Sequence, residues 1–303
     1  MMRHRLSGVY AAAVTPLHAD FSPDLGGISP LLDFLARRGC HGALILGTTG
    51  EGPSFAPDER IAIFRAALQV RATHPSFRLL AGTGTPSLTE TVELTRAAYD
   101  LGFEGAVVLP PYYFRKVTEA GLLAYFTELI RRAVPSDGAL FYYHFPALSG
   151  ISISLEFLSR LRDAFPRQFI GIKDSSGDAE TARALGQRFG QEFLNFAGNE
   201  KLFQWALENQ ACGCITAPAN LLSPDLAGLW EAYGQGGDLA SVQARLTAQR
   251  EALEKSSPFP PIVKALLARR HGLPYWTVRP PLLPVPDETA EMVLRELEAS
   301  VER

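Results

Sequence analysis

The sequence predicts an α/β fold, a (β/α)8 TIM barrel that carries a C-terminal helical extension. Three observations lead there. Short apolar or β-branched runs alternate with longer segments of helical period, eight times over. The runs are apolar almost throughout rather than at every second position, so both faces of each strand need cover, as in parallel strands enclosed by helices. After Gly236 the strand signal stops, and the remainder reads as helix or Pro-rich connection.

Taken in order, the first strand is expected at Val9 to Thr15 and the first helix at Ile28 to Arg38, with Gly39 as its stop. Strand Ala43 to Gly47 precedes helix Asp58 to Ala72, and strand Arg78 to Gly82 precedes helix Thr89 to Leu101. Ser87 or Thr89 supplies a cap for that helix and Gly102 ends it. Next come strand Gly105 to Leu109 with helix Glu119 to Val134, and strand Ala139 to His144 with helix Leu155 to Ala164. Strand Phe169 to Lys173 pairs with helix Ala179 to Arg188, strand Phe193 to Ala197 with helix Lys201 to Asn209, and strand Gly213 to Thr216 with helix Pro224 to Tyr233. The barrel thus occupies residues 1–236 and the extension 237–303. Within the extension, helices are expected at Asp238 to Lys255, Ile262 to Arg270 and Asp287 to Val301, and Gly272 to Pro286 is an extended connection. This part is expected to pack against the barrel or a neighbouring subunit rather than to hold chemistry.

Composition narrows the function. A chain of 303 residues with 47% apolar side chains can bury a large core. Its net charge of -3 arises from 29 basic and 32 acidic residues spread along the sequence, a distribution that points away from nucleic acid and toward a small-molecule partner. Three cysteines, Cys40, Cys212 and Cys214, are too few and too odd for a disulfide framework and fit a reducing compartment. Cys212-Gly213-Cys214 has no histidine at ligand spacing and the six histidines are scattered, so no metal site is expected. Arg3 and Arg5 before the apolar run Gly8 to Val14 imitate a signal peptide, but the run leads into Thr15-Pro16 without a separate cleavage region. No stretch approaches the length of a membrane span, and a cytoplasmic location follows as the expectation.

In a parallel barrel the active site forms where strands end and βα loops begin. Lysine is scarce there and everywhere: Lys116, Lys173, Lys201, Lys255 and Lys264 are the only lysines among the 29 basic residues, and Lys173 alone lies inside an apolar strand. A lysine facing a dry barrel interior is favoured as the neutral amine, the form that attacks a ketone. The competing reading pairs it with Asp174 or Glu51, or turns it into the helix layer. Gly47-Thr48-Thr49-Gly50-Glu51, directly after the second strand, offers backbone N–H groups and two hydroxyls to a ligand and suits a carboxylate. Tyr112-Tyr113 and Tyr142-Tyr143 could bring phenols to the barrel mouth for proton transfer, against the alternative of ordinary aromatic core or interface residues.

These segments together with Pro111-Tyr112-Tyr113, Tyr143-His144-Phe145-Pro146-Ala147-Leu148-Ser149-Gly150, Gly171-Ile172-Lys173-Asp174 and Gly213-Cys214-Ile215-Thr216 resemble, in order and spacing, the dihydrodipicolinate synthase and N-acetylneuraminate lyase superfamily of class I, pyruvate-dependent aldolases. The resemblance runs over nearly the whole chain. It implies that Lys173 forms an imine with the keto carbon of pyruvate, with no metal and no organic cofactor. It also implies that Tyr143 transfers the proton, Thr48 relays it, and Thr49 with backbone amides around Gly47 holds the pyruvate carboxylate. Gly198 and Ile215 match pocket-lining positions. Tyr113 matches a tyrosine that reaches into the neighbouring subunit's site, which implies a homotetramer built from tight dimers.

The resemblance divides at the second substrate. Dihydrodipicolinate synthases carry an arginine for the aldehyde's carboxylate where this sequence has Leu148, and sialic acid lyases carry consecutive acidic residues where it has Glu200-Lys201. An aldolase for a 2-keto-3-deoxy sugar acid or a related hydroxy keto acid is therefore expected. The alternatives are a 4-hydroxy-tetrahydrodipicolinate synthase, an N-acetylneuraminate lyase, and, from another class, a non-catalytic barrel that senses a keto acid.

Overall fold

A computed structural model describes residues 4–300; Arg3 and Val301, each used above, lie outside the described residues. In chain order the elements are β1 (Gly8–Ala12), α1 (Leu25–Arg37), β2 (Gly42–Ile45), α2 (Pro57–Ala67), β3 (Arg78–Gly82), α3 (Leu88–Asp100), β4 (Gly105–Val108) and α4 (Glu119–Ala133). They continue with β5 (Leu140–His144), α5 (Pro146–Ser149), α6 (Leu155–Ala164), β6 (Phe169–Asp174), α7 (Ala179–Phe189), β7 (Leu194–Ala197), α8 (Phe203–Glu208), β8 (Gly213–Thr216) and α9 (Ala219–Gln235). Three more helices follow, α10 (Ala240–Glu254), α11 (Phe259–His271) and α12 (Asp287–Ala299). The strands form a closed parallel barrel in sequence order. Among the described residues no helix is long and apolar enough to cross a membrane.

Two compact units share the chain. The first comprises 4–7 and Arg78–Cys214. Its strands pair in parallel from β3 through β8. Behind them Phe126, Leu129 and Ile130 of α4 and Phe157, Leu158 and Leu161 of α6 pack on Val108, Tyr142, Phe169 and Ile172. Burial of this contiguous apolar surface is the main force that holds the strands to their helices. Helix starts are set locally: Ser87, Thr118, Ser154 and Asp178 each accept a backbone N–H from the first turn that follows.

The second unit comprises Gly8–Phe77 and 215–300. Here β1 pairs with β2. The strand ends at Ala12, short of the expected Thr15, because the fully buried Asn220 of α9 takes over its hydrogen bonds. The Asn220 side chain donates to Ala12 O at 2.8 Å and accepts from Val14 N at 3.2 Å. The expected helix Asp58 to Ala72 divides into α2 and a 3₁₀ turn at Leu68–Ala72. Helix α9 begins at Ala219 rather than Pro224, with non-helical backbone at Leu222. Pro224 follows that break, where its missing N–H costs least. In the extension, Asp225 accepts from Arg245 and Gln249, and Lys255 pairs with Glu296, so α10 is tied both to α9 and to α12. Cys40 is buried, and burial pushes its thiol up to about 12, which leaves it a packing residue.

Candidate active site

Strand alternation decides which side chains meet. Tyr143 lies opposite Lys173 and Tyr142 opposite Ile172 in the β5–β6 ladder. Tyr142 and Ile172 belong to the core cluster against α4 and α6, so Tyr143 and Lys173 turn to the other face of the sheet, the barrel interior. Lys173 is 3% exposed, and its Nζ stands 4.0 Å from the centroid of the Tyr143 ring. A lysine this deeply buried needs a partner or a task.

The adjacent carboxylate is not that partner. Asp174 points the opposite way along β6. Its Oδ1 lies 2.9 Å from His144 Nδ1 and accepts from Ser176 N at 3.1 Å, and its Oδ2 accepts from the Ser176 hydroxyl. His144 and Asp174 are both buried and sit directly opposite each other in the ladder. Sequence reasoning overlooked His144; the signal available was its place immediately after Tyr143, just as Asp174 follows Lys173. Together the two side chains fasten the C-terminal ends of β5 and β6, on which Tyr143 and Lys173 are carried.

Gly198 bears on the same strand end. Its N–H donates to Asp174 O at 2.7 Å, and a Cβ there would stand 2.0 Å from Ser175 Oγ and 2.7 Å from Asp174 O. Gly198→Ala must therefore displace the end of the lysine strand. It should destabilise the protein by about 1–3 kcal/mol, as overpacking does, and lower turnover in the same variant. Thermal melting and a rate assay check this; wild-type values in both would show that the strand end yields freely.

The two tyrosines of β5 have different environments. Tyr142 is fully buried among Phe126 and Phe157, its hydroxyl has no hydrogen-bond partner among the described residues, and burial pushes its phenol far above the ordinary value. It is a core residue and stays protonated. Tyr113, in the loop after β4, is 75% exposed and meets Phe114 edge-on at 5.2 Å. Its ring is therefore not packed into the core of this chain. Leu148, on the four-residue helix α5 that carried too short a pattern to be read from sequence, is 46% exposed.

In the second unit, Gly47 and Thr49 are buried and Thr48 is half-buried in the loop that follows β2. The loop is closed by Glu51 N–H to Thr48 O at 3.1 Å and Gly52 N–H to Gly47 O at 3.2 Å, and the Thr15 hydroxyl donates to Gly50 O at 2.6 Å. Glu51, weighed above as a partner for Lys173, pairs instead with Lys264 at 2.6 Å. Ile215 is fully buried in β8.

A buried amine flanked by a phenol ring, on the inner face of a parallel barrel, can add to a carbonyl. The model of the dihydrodipicolinate synthetase family matches residues 5–300. The chain belongs to this family. An uncharacterised DapA-like lyase of Chloroflexus aurantiacus is 39% identical over 282 residues, covering 93% of this chain and 92% of that protein. A 4-hydroxy-tetrahydrodipicolinate synthase of Thermus thermophilus is 34% identical over 298 residues, covering 96% of each. Among solved structures, YagE, a prophage protein of the same family from E. coli K12 in complex with pyruvate, superposes with a TM-score of 0.91 at 27% identity, over 98% of this chain and 99% of that one. This member of the dihydrodipicolinate synthetase family is accordingly a lyase on a (β/α)8 barrel with a C-terminal helical part.

Proposed function

We propose that this lyase works through a covalent imine on Lys173, joining pyruvate to an aldehyde or cleaving the product. The observation that carries the reading is the Lys173 amine, buried at the end of β6 against Tyr143 while Asp174 is engaged with His144 and Ser176. The amine adds to the keto carbon of pyruvate and water leaves, giving a protonated imine. Loss of a proton from the methyl carbon gives an enamine, which attacks the aldehyde carbon; hydrolysis of the new imine releases the hydroxy keto acid and regenerates the amine. Tyr143 moves the protons with Thr48 as relay, and Thr49 with the backbone at Gly47 receives the pyruvate carboxylate. Gly198 and Ile215 border the substrate. No metal or organic cofactor enters this scheme. A solved relative that holds pyruvate supports the choice of keto acid.

For the second substrate, Leu148 favours an aldehyde without a carboxylate at that position, and so a 2-keto-3-deoxy sugar acid or a related hydroxy keto acid as product. A carboxylate left beside an apolar side chain loses a charged hydrogen bond worth about 1.5–3 kcal/mol. The relatives named 4-hydroxy-tetrahydrodipicolinate synthase favour that activity as the second reading. Leu148→Arg should raise kcat/KM for a carboxylate-bearing aldehyde about tenfold or more relative to glyceraldehyde. Competition assays with the two aldehydes measure the ratio, and an unchanged ratio removes Leu148 from the specificity argument.

The exposed rings of Tyr113 and Phe114 support an assembly in which this loop is covered by another subunit, a homotetramer of tight dimers with Tyr113 completing the neighbour's site. We place the enzyme in the cytoplasm, with the barrel at 1–236 and the extension at 237–303. Trapping with borohydride and pyruvate tests the central reading: a stable adduct supports the lyase mechanism, and a folded protein that stays unmodified favours a keto-acid sensor.

A further inference from the structure

The loop that carries Thr48 and Thr49 is bounded by two non-glycine residues with left-handed backbone, Leu46 at φ 58° and Glu51 at φ 56°. Such residues are uncommon and persist where their surroundings over-determine them. Around Glu51 the source of that constraint is visible. Its side chain is wholly buried and both carboxylate oxygens are occupied: Oε1 accepts from Lys264 Nζ at 2.6 Å and Oε2 from the Arg279 N–H at 2.9 Å. Lys264 is itself 1% exposed and donates further to Thr277 O at 2.6 Å.

All of these anchors come from the helical extension. Lys264 is on α11, and Thr277 and Arg279 lie in the Pro-rich connection before α12. The Arg279 side chain then grips the outside of the same stretch. Its guanidinium pairs with Glu59 of α2, donates to Ser54 O at 2.7 Å and stands 4.4 Å over the Phe55 ring. The glycines beside Glu51 leave the loop no room to slide, since a Cβ at Gly50 would stand 2.8 Å from Ala13 O and one at Gly52 2.1 Å from Leu46 O. A buried ion pair is weak evidence for stability, because apolar residues of similar volume often serve as well; its better-supported use is to fix one conformation among several.

We propose that Lys264, acting through Glu51 and the Thr277–Arg279 segment, is a positioning residue for the hydroxyl loop, so that the C-terminal extension sets the subsite for the pyruvate carboxylate. This rests on the lyase reading above, in which that loop binds pyruvate. The extension then has a part in substrate binding, beyond the packing role expected from its sequence.

The test is borohydride trapping of the full-length protein over a range of pyruvate concentrations, for the wild type, the neutral pair Glu51→Gln/Lys264→Met, and Glu51→Asp, which keeps the charge but shortens the reach. The expected result is a half-saturating pyruvate concentration raised about tenfold or more in both variants, with the plateau trapping rate within about threefold of wild type, since Lys173 and Tyr143 are untouched. Circular dichroism and a cooperative melt establish that the variants are folded. If the neutral pair does not fold, Glu51→Asp decides. Folded variants with wild-type half-saturation would overturn the positioning role and reduce the pair to a structural one. A wild-type protein that traps no pyruvate would overturn the lyase reading itself, and is seen before any variant is compared.

Discussion

Lys173→Ala is expected to eliminate the borohydride-stabilised pyruvate adduct and to lower turnover on the order of 10⁴-fold or more, the range seen when a covalent nucleophile is removed. The fold should survive. Truncation leaves no opposite charge stranded, because Asp174 keeps its bonds to His144 and Ser176. The ring contact of Phe141 with Phe196, at 5.5 Å between centroids, is likewise untouched. Residual turnover near the wild-type rate in a folded variant would require another nucleophile. Lys264, which is also buried, is committed to Glu51 and Thr277.

Tyr143→Phe should have the next largest effect, a fall in kcat of about 10²–10⁴-fold, the usual worth of a positioned general acid–base group. The variant keeps the ring that stands 4.0 Å from the Lys173 amine, so the packing beside the amine is retained and only the hydroxyl is lost. Pyruvate should still be trapped, more slowly. Tyr142→Phe is the control on the neighbouring residue: that hydroxyl is buried with no partner among the described residues, so its removal should leave kcat unchanged and stability equal or higher by about 1 kcal/mol. If the two variants lost activity equally, the assignment of proton transfer to Tyr143 would fail.

The structure bears on what the sequence could disclose. Each of the eight strands forms at an apolar run of the sequence, because a closed parallel sheet buries both faces and writes a local signal. Ends were less legible, and β1 shows why: it stops at Ala12 because a side chain 208 residues away claims the next hydrogen bonds. Lys173 stood out since a lone lysine in an apolar strand violates the local pattern. Thr48 and Thr49 stood out as two hydroxyls in a glycine-bounded loop directly after a strand, and the order of motifs gave each a role.

Two of the missed features share one property, long sequence separation. His144 finds Asp174 across 30 residues, through a β5–β6 register that shifts at Leu140/Phe141, and no local pattern encodes a register. Glu51 and Lys264 are 213 residues apart, and sequence alone singles out a different lysine, the one inside an apolar strand, as a partner for Glu51. Tyr142 and Tyr143 are adjacent and alike in type, yet alternation sends one to the helix layer and one to the barrel interior. Which of two neighbours faces inward depends on the pleat, and the ladder that sets Ile172 and Lys173 opposite them decides it.

The most direct test is the mass of the intact protein after borohydride reduction in the presence of pyruvate, followed by peptide mapping. The account predicts a single covalent adduct, located on Lys173. An unmodified folded protein, or an adduct on any other lysine, would contradict it.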